Sequence, residues 1–70
     1  MPDTIRINYN SMTVINALKY CERNNITSSF GFLKRFTRLN NDDLKNGIHI
    51  NLALEFIEVE NKKNNIYKLK

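Results

Sequence analysis

Residues 40–56, NNDDLKNGIHINLALEF, decide the fold of this chain. Two periodicities compete there. Leu44, Ile48 and Leu52 recur at i, i+4 and i+8, the spacing of one helix face. Ile48, Ile50, Leu52, Leu54 and Phe56 also alternate without a fault, as a half-buried strand would. Asn40 to Asp43 reads as a helix start, with a capping amide and two acids where the helix dipole favours negative charge. Gly47 offers a turn that would end a shorter helix at Asn46. The helical reading, over residues 41–54, requires a segment buried on several sides. The extended reading turns the chain into a sheet protein.

Downstream, residues 55–70 (EFIEVENKKNNIYKLK) read as a β-hairpin, with strands over about 56–60 and 66–70. Ile57 and Val59 alternate with Glu58 and Glu60, and Tyr67 and Leu69 with Lys68 and Lys70. Each strand therefore has one apolar and one charged face. The charged faces are complementary, and opposite charges across an antiparallel pair add roughly 0.2–1 kcal/mol each. The tip, Asn61 to Asn65, carries Lys62 and Lys63 among asparagines that tolerate left-handed turn geometry.

Upstream, residues 28–38 read as a helix, although FGFLKRFTRL (30–39) also admits a strand. As a helix its apolar stripe is Phe32, Leu33, Phe36 and Leu39, and Lys34, Arg35 and Arg38 form a basic patch. Phe30, Phe32 and Phe36 are expected in the core. Residues 11–24 form a further helix, with Val14, Leu18 and Cys21 at helical spacing, Asn10 or Ser11 as its cap and Asn24-Asn25 as its stop. Residues 4–9 (TIRINY) alternate as a short strand.

Seventy residues allow one small domain, 1–70, with a limited core. The formal charge of +4 and pI near 9.5 favour a polyanionic partner. Cys21 is the single cysteine, so no internal disulfide forms and a small core residue is expected. No apolar run reaches membrane-spanning length, which implies no membrane partner and an intracellular site of action, in the cytoplasm or a host cytoplasm. Abundant Asn, Ile and Lys is the usage of an AT-rich genome, and a protein of viral or plasmid type is expected. No phosphate loop, zinc motif, CxxC or nucleophile elbow is present, and His49 is the single histidine. The expectation is neither an enzyme nor a holder of metal or cofactor.

Taken in order, helix, connector, basic helix, capped helix and lysine-tipped hairpin resemble the winged-helix family of DNA-binding domains. The likeness is closest over LALEFIEVENKKNNIYKLK (52–70), which looks like the end of a recognition helix, a strand, the wing and a last strand. The chain departs from the family pattern where helix meets wing, with Phe56 in place of the usual glycine. The resemblance implies that the third helix enters the major groove, with Lys45, Asn46, His49 and Asn51 toward base edges and phosphates. It implies that Lys62, Lys63 and Asn64 meet phosphate or the minor groove, and that Lys34, Arg35 and Arg38 contact the backbone.

Two functions follow from the two readings. The first is a sequence-dependent regulator of transcription on double-stranded DNA, acting as a homodimer through the N-terminal strand and an exposed part of the first helix. The alternative is an α+β interaction module, with a β-meander packed on one helix, that docks on an acidic host protein and inhibits it.

Overall fold

A computed structural model describes residues 8–70. Three helices, α1 (Tyr9–Arg23), α2 (Phe30–Thr37) and α3 (Asn41–Ala53), precede an antiparallel hairpin of β1 (Ile57–Asn61) and β2 (Ile66–Leu69). The class is α+β, in a winged-helix-like layout. The deciding segment is a helix, and the meander of the alternative reading does not form.

The alternation from Ile48 to Phe56 misleads because α3 is enclosed. α1 packs along one side of it, α2 touches another, and β1 lies against its end. Ile48 and Ile50, on different sides of the helix, are both buried. A helix apolar on several sides has no strong single-face signal. Its start follows the sequence: Asn40 Oδ1 accepts from Asp43 N at 2.7 Å, and Asp42 and Asp43 occupy the first turn.

α1 begins earlier than the apolar spacing implies. Its cap is Asn8, not Asn10 or Ser11. Asn8 Oδ1 accepts from Ser11 N at 2.8 Å, and Ser11 Oγ accepts from Asn8 N at 2.8 Å. This reciprocal pair satisfies two N–H groups that the helix itself leaves free. The strand expected over 4–9 is thereby corrected at its end, where Asn8 and Tyr9 form the cap and first turn; residues 4–7 lie outside the described residues. Asn24 closes the helix and Asn25 takes a left-handed φ of 55°, as the asparagine pair implied.

The core joins Val14, Ala17 and Leu18 of α1 with Leu33 of α2, Leu44 and Ile48 of α3, and Ile57 of β1. Leu33, not the phenylalanines, is the buried residue of α2. Phe30 and Phe32 only flank the core, and Phe36 is half exposed, stacked on Tyr20 at 4.8 Å and on Phe32 at 5.6 Å. Eight residues of helix bring one face inward, and three rings spread over 30–36 cannot share it. Cys21 is in the interior, and burial pushes its thiol pKa up.

In the hairpin Glu58 lies opposite Lys68 and their side chains pair at 3.5 Å, the charged face expected from the alternation. Between Val59 and Asn61 the register slips by one residue, so Glu60 drops out of the ladder.

Candidate nucleic-acid interface

The hairpin does not project freely. Ser28 and Ser29, between α1 and α2, and Phe30 at the start of α2 meet the hairpin antiparallel through a single isolated bridge. Ser29 bridges Ile66, Tyr67 N donates to the Ser28 carbonyl at 3.1 Å, and Phe30 N donates to the Asn65 carbonyl at 3.0 Å. The Ser28 hydroxyl donates to the Tyr67 carbonyl as well. Ser29 receives Phe32 N on its Oγ at 3.2 Å and starts α2. One short connector therefore fixes both the start of α2 and the base of the wing.

This tie sets the wing beside the exposed side of α3. A groove of about 270 Å³ runs between them, lined by Lys45, Ile48, His49 and Leu52 of α3, Phe30 of α2, and Asn65 and Tyr67 of the hairpin. Lys45 and His49, both exposed and one turn apart, form its outer wall. Asp42 is exposed one turn before Lys45 and extends the same face to the N-terminus of α3. The wing turn, residues 62–65, is exposed throughout. Asn61 Oδ1 accepts from Asn64 N at 3.1 Å, and Asn65 takes a left-handed φ of 53°. Lys62, Lys63 and Asn64 thus stand at the end of a braced ribbon.

The remaining sequence candidates divide. Lys34 is exposed on α2 one turn after Phe30 and does not line the groove. Arg35 is exposed about 100° around the helix from Lys34 and does not line the groove either. Arg38 is exposed just past α2, holding a left-handed φ of 62° at the helix end. Asn46 is exposed, but its Oδ1 already accepts from the amides of Asn8 at 3.1 Å and Asn10 at 3.3 Å.

Asn51 is the correction. It is fully buried, and its Nδ2 donates to the Ser11 carbonyl at 3.0 Å and the Gly47 carbonyl at 2.9 Å. Counting along α3, Asn51 lies about 200° around the helix from His49, so the two cannot share a face. It ties α3 to α1 and reaches no ligand on the outer face. Phe30, Asn65, Tyr67 and Asp42 belong to the groove or its face without having been singled out as site residues. The alternation of Tyr67 signalled a strand, but only the pairing with residues 28–30 brings it to α3.

Among the described residues no group of three or more His, Cys, Asp or Glu is placed to hold a metal ion. No helix among them is long and apolar enough to cross a membrane. Comparison with protein-family models, with curated proteins and with solved structures gave no match.

Proposed function

We propose that this chain binds duplex DNA and regulates transcription from inside the cell by occupying its site. α3 enters the major groove with Lys45 and His49, and the wing lays Lys62, Lys63 and Asn64 on the neighbouring backbone. One observation carries this reading: the lysine-tipped turn is braced against α2 so that it flanks the exposed face of α3. A helix and a basic ribbon held side by side match a wide groove bordered by phosphate. A-form RNA has a deep, narrow major groove that would not admit α3, which favours DNA.

The test is titration of labelled duplex DNA into the protein at two salt concentrations. Binding at low salt that weakens steeply as salt rises is expected, because each neutralised phosphate contributes about 0.9 to the log–log slope. No binding at low salt, or binding indifferent to salt, ends the proposal. An RNA duplex of the same sequence should bind more weakly.

A further inference from the structure

A second groove, of about 400 Å³, lies between α1 and the base of the hairpin. Its lining is apolar at Met12 and Ile15 of α1 and at Phe56 and Leu69 of the hairpin base. Met12 is 46% and Phe56 44% exposed, so two large apolar side chains stand open to solvent beside the hollow. α3 contributes Asn51 alone, about 200° around that helix from His49, so the groove lies away from Lys45 and His49. Two lysines, Lys19 and Lys70, complete the lining, and no acid belongs to it. We propose that this groove takes an acidic amphipathic segment of another protein, a short helix whose apolar side chains fill the hollow and whose carboxylate meets Lys19.

Lys19 selects the charge of the occupant. It is exposed, and among the described residues no carboxylate lies within ion-pair distance of it. The step from Met12 to Lys19 is nearly two helical turns, so Lys19 stands on the same face of α1, about 10 Å beyond Met12. A partner helix lying along α1 with an apolar side chain at Met12 therefore brings a residue two turns away to Lys19, where an acid gains an ion pair. Lys70 lies 3.3 Å from Glu55 Oε1, and that exposed pair carries no net charge. An ammonium has three N–H donors, so Lys70 can still donate to an oxygen of the partner while holding Glu55. Other occupants fit less well. A second copy would bring the same two lysines and no acid, setting like charges against each other. A nucleic acid would lay phosphate over four apolar side chains, and taking that charge out of water without a partner is costly. Amphipathic helices enter apolar grooves through anchors at i, i+3, i+4 and i+7, with their charges left at the rim. The groove is away from the candidate DNA face, so one molecule has room for both partners.

The test is selection from a random peptide library displayed on phage, without DNA, so that its outcome is independent of the DNA reading. The library is first passed over the full chain carrying Met12→Ser and Lys19→Glu, which removes peptides held elsewhere, the basic wing included. Selection on the wild-type chain should then enrich peptides with Asp or Glu beside apolar residues at helical spacing. For an enriched peptide, made synthetically, Lys19→Glu and Met12→Ser should each raise the dissociation constant by at least about tenfold. Changing the peptide's acid to lysine should restore binding to the Lys19→Glu variant. Both positions are exposed, and circular dichroism verifies that each variant folds. Amide resonances of Met12, Ile15, Lys19 and Phe56 should shift on adding the peptide, and those of Lys45 and His49 should not. No enrichment, or enriched peptides that lack an acid, overturns the proposal. So does a peptide that either single variant binds as well as the wild type, or one whose shifts fall on the outer face of α3.

Discussion

An alanine at position 47 would place its Cβ 2.6 Å from the Asn10 carbonyl oxygen and 2.9 Å from Val14 Cγ2. The glycine lets α1 and α3 touch backbone to side, and the Asn46 and Asn51 amides clasp α1 on either side of that contact. Helix propensity favours alanine over glycine by about 1 kcal/mol, while overpacking costs about 1–3 kcal/mol and occasionally more. Here the obstacle is a backbone carbonyl, which yields less readily than a side-chain tip. Gly47→Ala is therefore expected to lower the urea midpoint, and an unchanged or raised midpoint would show that the helices separate at little cost. Glu55 presents the converse case. It holds a left-handed φ of 63° where α3 gives way to β1, one position before the site where the family pattern placed a glycine. A non-glycine residue there carries about 1–2 kcal/mol of strain. Its ion pair with Lys70 is exposed and contributes about 0–1 kcal/mol at most. Glu55→Gly should thus raise the midpoint of dilute protein modestly, by the equivalent of up to about 1 kcal/mol.

At the scale of elements, the helices and the hairpin were readable because each carries its own local chemistry. Asn40 with Asp42 and Asp43 announces α3, the asparagine pair at 24–25 ends α1, and the acid–lysine alternation marks the charged strand faces on which Glu58 and Lys68 meet. What stayed hidden depends on partners distant in sequence. Nothing local marks Ser29 as a bridge partner of Ile66, since the two lie more than half the chain apart. Nothing local separates Asn51 from Asn46 either; only the packing of α1 decides that one is clasped inside and the other is exposed. The groove between wing and α3 was for the same reason legible in its lysines and not in Phe30 or Tyr67. The connector carries a prediction of its own. The Ser28 hydroxyl is bonded to the Tyr67 carbonyl, and Ser28 itself is buried. Ser28→Ala should cost about 1 kcal/mol of stability. It should also speed hydrogen exchange of amides in β2 more than in α1. Equal acceleration in both would mean that the hairpin is not separately anchored.

Across the whole molecule the basic residues are sorted by what surrounds them, which net charge does not reveal. Lys68 and Lys70 lie against Glu58 at 3.5 Å and Glu55 at 3.3 Å, the two ion pairs among the described residues. Their fields are largely cancelled at short range, and what remains is screened within about a Debye length, roughly 8–10 Å at ordinary salt. Lys62 and Lys63 have no such partner among the described residues and stand at the tip of a ribbon braced against α2. Two double variants separate position from charge. Lys62→Ala with Lys63→Ala, and Lys68→Ala with Lys70→Ala, each lower the formal charge of +4 by two. If bulk charge governs attraction to DNA, both should weaken binding alike. If the wing lies on phosphate, the tip pair should lose affinity for every sequence and flatten the log–log salt slope by about 1.8, at 0.9 for each phosphate released. The strand pair should then leave the slope unchanged within error. Measuring both slopes on the same duplex decides between a localised interface and a merely cationic protein, because the variants share every charge term except where the charge was removed.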